Sequence, residues 1–295
     1  MPRLRGFSLV VLVLAAVVAL TGAASAQDTA PRVLSVILEN DINPVTADYV
    51  VGAIERGERE GYDAVVIQLD TPGGLDSAMR EIIKKELSAD VPVVVYVAPS
   101  GSRAASAGAF ITFAADVAAM APGTNIGSST PIAVGGGEIP TDLRRKVVND
   151  AAAYARDLAE LHGRNGDWAE QAVRQASNLG SQEALEQNVV DVVAPDLPTL
   201  LNEIDGMTVE PKGITLNTAG AAVDQIEMSL WKRVLDTLID PNLIVLLMSI
   251  GVLGITIEIL NPGLILPGTV GVISLIIGLF GLQVLPVSWA GLLLM

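Results

Sequence analysis

A serine between a predicted strand and a predicted helix is the first candidate for chemistry in this chain. Ser106 lies near the end of segment 99–108, after the β-prone run 92–98 and at the start of the small-residue run 105–115. This position exposes a hydroxyl at the mouth of a sheet, near the partial positive charge of a helix N-terminus. The surroundings resemble the Gly-x-Ser-x-Gly elbow of hydrolases, although Ala104 replaces the first glycine. Ser106 is therefore a candidate nucleophile, and the alternative is an ordinary small-residue turn.

The composition restricts the base that could activate this serine. The chain has no cysteine and one histidine, which excludes disulfides, thiol nucleophiles and multi-histidine metal sites. His162 lies near the end of a predicted long helix, where a histidine more commonly caps carbonyls than joins a triad. Lys146, in the second turn of that helix, is the better candidate, because a buried and neutral lysine can accept a proton. Its Arg-Arg-Lys run is also typical of a solvated helix face.

Two further loops could serve acyl transfer. The backbone amides of the turn at Gly73 and Gly74 could donate hydrogen bonds to a developing oxyanion, although a plain strand-to-helix turn has the same pattern. Ser128 and Ser129 form a second hydroxyl cluster, which we interpret as loop groups that contact substrate. This chemistry needs neither a metal nor a cofactor, and we predict none.

The elements that must position these residues alternate between short β-branched runs and amphipathic helices. The main ones are strands at 33–38, 64–69 and 92–98 and helices at 44–60, 76–87 and 141–163, with Thr141 as a plausible N-cap. Strands joined by crossover helices imply an α/β domain with a largely parallel sheet. Sites in such sheets form in loops at the carboxyl ends of the strands. Loops 71–74 and 99–108 should therefore lie side by side.

Both ends of the chain are strongly apolar. Residues 1–26 have the charged start, apolar core and small residues of an export signal, with an N-terminal anchor as the alternative. The domain predicted at 31–223, whose last part is a more polar run with turns, would then lie outside the cytoplasm. A juxtamembrane linker follows at 224–241. Region 242–295 contains apolar runs long enough to cross a bilayer, and we interpret its abrupt end as truncation.

Net charge and mean hydropathy limit the classes of partner that the chain can bind. The formal net charge of −15 argues against nucleic acid as the main partner, because phosphate recognition needs a basic surface. Hydrophobic residues make up 51% of the chain, and the mean hydropathy of +0.50 predicts that part of it contacts lipid.

Several motifs together resemble the NfeD family of membrane-bound serine proteases, the stomatin operon partner proteins related to signal peptide peptidase A and to Clp protease. They are Asp70–Gly74, Pro99–Gly108, Ala121–Gly127, Lys146–Asn149 with Gly163–Asn165, and Glu258–Gly263. The resemblance implies a ClpP/crotonase-like fold and a Ser-Lys dyad of Ser106 and Lys146. It also implies an oxyanion hole from the amides at Gly74 and Ala107. Long-type members continue into a soluble β-barrel that this sequence does not contain.

The resulting hypothesis is a multi-pass, membrane-anchored extracytoplasmic serine endopeptidase. The resemblance implies that it cleaves apolar segments, such as the C-terminal part of a stomatin-like membrane protein, and analogy predicts a homodimer or larger ring. The alternative is a non-catalytic scaffold that uses the same groove to bind and organise a stomatin-like protein. A third possibility, acyl-thioester chemistry, is disfavoured because a secreted domain does not meet coenzyme A.

Overall fold

The structure is a computed structural model that describes residues 30–132, 140–261 and 263–284. The strands are β1 (Arg32–Glu39), β2 (Ala64–Asp70), β3 (Val93–Val97), β4 (Arg103–Ala105), β5 (Val117–Met120), β6 (Asn125–Gly127), β7 (Asn178–Gly180), β8 (Val192–Val193), β9 (Thr208–Val209), β10 (Ile214–Thr215) and β11 (Ala222–Ile226). The helices are α1 (Pro44–Glu60), α2 (Asp76–Ser88), α3 (Ala107–Ala114), α4 (Thr141–Leu161), α5 (Gly166–Arg174), α6 (Ser181–Glu186), α7 (Leu197–Glu203), α8 (Leu230–Leu238), α9 (Pro241–Leu260) and α10 (Ile265–Val284). The predicted export signal and the last apolar run lie outside the described residues.

A parallel sheet of six strands, in the order β11-β1-β2-β3-β5-β8, forms the centre of the domain. Side chains alternate across β3, so Val93, Val95 and Val97 join one apolar layer while Val94 and Tyr96 join the other. Helices α1 to α6 contribute to the first layer, and α7 with the β9–β10 hairpin contributes to the second. The predicted α/β architecture with crossover helices is therefore present.

Local sequence explains where the first crossover helix begins and ends. The Asn43 side chain accepts hydrogen bonds from the backbone amides of Val45 and Thr46, at 2.9 and 3.0 Å. The Thr46 hydroxyl accepts from the Asn43 amide at 2.8 Å, which completes a capping box. Gly61 ends α1 with a φ of 66°, a conformation that costs glycine little.

A second, smaller sheet, β4-β6-β7, lies across the carboxyl ends of the central strands. It is tied to the end of β2 through Thr71, whose amide donates to the Arg103 carbonyl at 2.8 Å. The Thr71 carbonyl accepts from the Ala105 amide at 3.1 Å. These bonds fix the position of β4, and Ser106 is the next residue along the chain.

The structure departs from the sequence-based expectations in three places. The polar run after residue 195 contains α7 and the hairpin, and β11 pairs in parallel with β1 as an edge strand. Because β11 ends at Ile226, the sheet extends beyond the domain boundary predicted at 223. Pro140, rather than Thr141, occupies the N-cap position of α4, and it has no side-chain hydrogen bond to offer there.

Two C-terminal helices, α9 and α10, are long and apolar enough to cross a membrane. They approach closely at Gly254 and Gly271, where an added Cβ would collide with the backbone of the other helix. The second helix begins at Ile265, and Pro267 fits its first turn, where the missing N–H has no partner to lose.

Candidate active site

Ser106 occupies the turn between β4 and α3 in a sterically strained conformation. Its φ of 53° and ψ of −116° are unusual for a residue with a Cβ. The surroundings hold this conformation, because the Ser106 amide donates to the Gly127 carbonyl at 3.0 Å and its own carbonyl accepts from the Ala109 amide at 3.1 Å. A strained serine between a strand and a helix is the geometry of a nucleophile elbow, which presents the hydroxyl away from the backbone.

The glycine turn after β2 lies directly against this serine, as predicted. A Cβ built on Gly73 would lie 2.7 Å from the Cβ and 3.1 Å from the Oγ of Ser106. The Gly73 amide is already engaged, since it donates to the Thr71 hydroxyl at 3.1 Å. The Gly74 amide has no acceptor among the residues that the structure describes. The Gly74 amide is therefore the hydrogen-bond donor that this turn has available. The missing side chain of Gly73 leaves room for the side chain of Ser106.

Backbone pairing with the β1–α1 loop fixes the turn. The Ile42 amide donates to the Gly73 carbonyl at 2.8 Å, and the Ile42 carbonyl accepts from the Leu75 amide at 2.8 Å. A Cβ on Gly74 would lie 2.1 Å from the Ile42 carbonyl oxygen, so only glycine fits. Ile42 and Thr71 thus support the site, and the sequence analysis missed both because they act through backbone bonds or a single hydroxyl, without a distinguishing motif.

The Ala107 amide is a second hydrogen-bond donor beside Ser106. It is the first residue of α3, so its N–H has no partner one turn back within the helix. The N-terminal end of the helix dipole adds partial positive charge at the same point. Among the predicted site residues, the structure therefore brings together Ser106, Gly73, Gly74 and Ala107.

The two predicted substrate-contacting serines have different environments. Ser129 is 2% exposed, and its hydroxyl lies 3.3 Å from the Ser106 carbonyl and 3.2 Å from the Gly127 carbonyl. In this position the Ser129 hydroxyl supports the backbone around Ser106. Ser128 is exposed, and its Oγ accepts from the Asn178 side chain at 3.2 Å. Only Ser128 is open to a bound peptide.

Lys146 is exposed and forms no hydrogen bond with Ser106 among the residues that the structure describes. The buried residues of α4 begin at Ala151, and Lys146 belongs to the exposed first half of the helix. Within the described residues its side chain forms no hydrogen bond or ion pair. The predicted dyad stays a prediction, and Lys146 is a candidate on its position in the sequence.

The direction of α4 nevertheless points the Lys146 end toward the nucleophile. The rings of Phe110 in α3 and Tyr154 in α4 stack at a centroid distance of 6.1 Å. Beyond the end of α4, Arg164 donates to the carbonyls of Phe113 and Ala115 at 3.0 and 2.9 Å. The two helices thus run in the same direction. The first half of α4 extends toward the side of α3 on which its N-terminus lies, and Lys146 precedes Tyr154 by about 12 Å along the axis.

The single histidine lies at the amino ends of the sheet strands, opposite the end at which Ser106 lies. His162 contacts the Glu210 carbonyl through Nδ1 at 2.8 Å, and its neighbour Arg164 bonds the Asp116 carbonyl just before β5 begins. Burial and the charge of Arg164 lower the pKa of His162. A histidine at the amino ends of the strands cannot activate a serine at their carboxyl ends. In the described part of the chain, no group of three acidic, histidine or cysteine residues is arranged to hold a metal ion.

Comparison with known protein families accounts for most of the chain. Residues 32–196 match the family described as NfeD1b, N-terminal domain, and residues 242–295 match the NfeD integral membrane domain. The first match alone covers more than half of the 295 residues. The second coincides with α9, α10 and the residues that follow them.

Two curated relatives align over most of this sequence. The membrane-bound protease PH1510 of Pyrococcus horikoshii is 34% identical over 263 residues, which are 87% of this chain and 59% of the relative. The membrane protein NfeD1b of Bacillus subtilis is 25% identical over 262 residues, which are 83% of this chain and 54% of the relative. The chain thus spans somewhat more than half the length of these relatives.

Solved structures of a related protease share the fold of the α/β domain. One is the 1510-N membrane-bound stomatin-specific protease as a lysine-to-alanine mutant in complex with a substrate peptide. It superposes with a TM-score of 0.66 at 32% identity, over 71% of this chain and 98% of that one. A serine-to-alanine mutant of the same protease gives a TM-score of 0.64 at 34% identity, over 68% of this chain and 100% of that one. The predicted α/β fold with a parallel sheet and crossover helices, followed by apolar helices, is confirmed, and the chain is a membrane protein that belongs to the NfeD family.

Proposed function

We propose that this chain is the catalytic portion of a membrane-bound serine endopeptidase, with Ser106 as nucleophile and Lys146 as general base. The observation that carries the proposal is the strained turn at Ser106, with the Gly73 backbone against its side chain. A turn that holds a serine in this conformation, beside two unengaged amides, suits attack on a carbonyl better than binding alone. The relative described as a membrane-bound protease supports the same activity.

The proposed reaction is acyl transfer to Ser106 and then to water. Lys146, as the free amine, accepts the hydroxyl proton while Oγ attacks the peptide carbonyl. The amides of Gly74 and Ala107 donate to the oxyanion, and Lys146 then returns a proton to the leaving amine. Water activated by the same lysine releases the acyl group and restores the serine. The related protease has been studied with a lysine and with a serine replaced by alanine, which fits a two-residue machinery of this kind.

The exposed position of Lys146 sets a condition on this mechanism. A lysine can serve as base only where it is shielded from water, because the charged amine is otherwise favoured. We propose that a bound peptide and a second copy of the chain cover the first half of α4 in the working enzyme. The proposed assembly is therefore a homo-oligomer, with the catalytic domain on the extracytoplasmic side of a multi-pass membrane anchor.

The proposed substrate is an apolar segment of a stomatin-like membrane protein. The related protease is described as stomatin-specific and has been solved with a substrate peptide. An apolar segment also suits an enzyme whose own chain continues into the bilayer, because enzyme and substrate then share one surface.

Matched variants in reconstituted full-length protein test the proposal. Ser106→Ala should abolish cleavage of an apolar peptide from the stomatin-like partner. Lys146→Arg should lower the cleavage rate by about 10²–10⁴-fold, because an arginine does not give up its proton. Arg145→Ala removes a neighbouring cation whose one ion pair among the described residues is with Asp142 on the exposed helix surface, and it should leave the rate unchanged. Full activity in Ser106→Ala would contradict the mechanism.

The alternative function is a non-catalytic scaffold for a stomatin-like protein. The exposure of Lys146 in the single chain favours it, because an exposed lysine stays protonated and is a poor base. A scaffold would bind the partner equally well with Ser106 or alanine and would cleave it in neither case. Binding and cleavage measured on the same two proteins therefore separate the two functions.

A further inference from the structure

Helix α8 lies against the α/β domain with its polar face. The Lys232 amine pairs with the Asp48 carboxylate at 2.6 Å, and the Asn43 side-chain Nδ2 donates to the Asp236 carboxylate at 2.7 Å. None of the nine residues of α8 is buried. Leu230 and Trp231 are 80% and 67% exposed. A helix that packs on a soluble domain normally does the reverse and buries its apolar stripe.

Helical geometry shows that the polar and apolar residues of α8 lie on opposite sides of the helix. At about 100° per residue, Lys232 and Asp236 share one side of the helix. The apolar residues gather on the other side, in a stripe made of Leu230, Trp231, Val234, Leu235 and Leu238. The domain therefore holds the polar side of α8, and the apolar stripe faces away from it.

The position of α8 in the chain, directly before the apolar helices, indicates what covers its apolar stripe. Only Ile239 and Asp240 separate α8 from α9, the first of the two apolar helices that can cross a membrane. The Asp240 carboxylate caps α9 by accepting from the amides of Asn242 and Leu243, at 2.7 and 3.1 Å. The end of α8 is thus fixed at the level where the chain enters the bilayer.

We propose that the apolar stripe of α8 lies in the boundary between the lipid headgroups and acyl chains. Interfacial helices combine a strong polar face, an apolar face with tryptophan and leucine, and burial of about 5–10 Å into this boundary. Segment 224–241 is then more than a linker, because α8 joins the domain to the membrane surface as a rigid wedge. The partner is the lipid bilayer itself, and a second copy of the chain is the competing occupant.

This contact places the active-site edge of the sheet at the membrane surface. Asn43, which bonds Asp236 of α8, follows Ile42, and Ile42 holds the Gly73–Gly74 turn through two backbone bonds. Asp240 and Asp236 are also close enough to Asp41 to help burial raise the pKa of its carboxyl, which Arg103 of β4 opposes. That the cleaved bond lies near the lipid headgroups rests on the proposed function, whereas the lipid contact of α8 does not.

Single-cysteine labelling tests the lipid contact without using activity. The sequence has no cysteine, so Leu230→Cys and Val234→Cys each provide one attachment point in the full chain. Both side chains are exposed, so the fold does not depend on them. Ser88→Cys, at the exposed end of α2 on the far edge of the sheet, is the control. Each protein carries a bimane fluorophore and is reconstituted in phosphatidylcholine vesicles with spin labels on the lipid at a shallow acyl position.

The proposal predicts blue-shifted emission and several-fold stronger quenching by the lipid spin label at positions 230 and 234 than at position 88. Equal quenching at all three positions would overturn it. Blue-shifted emission that ignores the lipid label and disappears on dilution into excess lipid would also overturn it, in favour of a second copy of the chain. None of these results depends on cleavage, so they stand apart from the test of Ser106.

Discussion

Gly73→Ala should lower the rate of the proposed reaction, because the new methyl group would displace the Ser106 side chain. The new Cβ would lie 2.7 Å from the Ser106 Cβ, and this separation must grow by about 0.7 Å to reach the 3.4 Å at which ordinary contact begins. The elbow turn, the Ile42 pairing and the Thr71 bond all resist that shift. A misplacement of about 1 Å at a reacting centre costs roughly 10²-fold in rate, which corresponds to about 2.7 kcal/mol of lost transition-state stabilisation.

Gly101→Ala is the matched control. Gly101 has a φ of 96°, comparable in strain to the 129° of Gly73, but a Cβ there would meet nothing within 4 Å. Both variants should lose about 1–3 kcal/mol of stability from the backbone conformation, and Gly73→Ala somewhat more. Thermal unfolding measures that loss, and kcat/KM for an apolar peptide measures the rate. Equal kcat/KM in the two variants would show that the packing of Gly73 on Ser106 is unrelated to catalysis.

Three further predictions concern stability. Burial and the nearby Asp116 carboxylate raise the pKa of Glu86 well above its usual value, and neither oxygen has a partner among the described residues. Ionisation of Glu86 therefore costs stability as the pH rises above about 4.5. The Tm of Glu86→Gln should exceed that of the parent by a margin that grows with pH. A margin that stays constant with pH would contradict this. Arg164→Ala strips partners from the Asp191 carboxylate and three carbonyls, and should cost about 3–5 kcal/mol in chemical denaturation. Asn43→Ala removes the α1 cap and should cost about 1–2 kcal/mol in the same assay, whereas Ser88→Ala should cost almost nothing.

The sequence was sufficient to predict the central sheet and the meeting of the two main loops. Valine-rich runs and amphipathic helices have clear periods, and parallel strands bring their carboxyl ends to one edge. The contact between Gly73 and Ser106 follows from that rule and is confirmed. The fold of the polar run after residue 195 could not be predicted, because β11 pairs with a strand almost two hundred residues earlier and a short edge strand leaves little periodicity.

The residues that hold Ser106 in place could also not be predicted from the sequence. Strands of three residues, such as β4 and β6, are too short for any alternation to register. Ser129 was predicted to contact substrate together with Ser128, and in the structure its hydroxyl lies against the Ser106 carbonyl. The place of Lys146 depends on tertiary direction, which the stacking of Phe110 on Tyr154 and the bonds of Arg164 define.

The uneven anchoring of α4 has a consequence for the timing of any reaction. Its last ten residues pack on the apolar layer and are fixed by Tyr154 and by Arg164 just beyond the helix. Residues 141–147 at its start are exposed, and contacts with the rest of the domain begin at Val148. A helical stretch of that length is barely stable by itself in water. It can therefore fray and re-form at a small fraction of the cost of unfolding the protein. In the proposed mechanism Lys146 lies on this weakly anchored part of α4, so the reaction waits until a bound peptide or a second copy of the chain orders the helix beside Ser106.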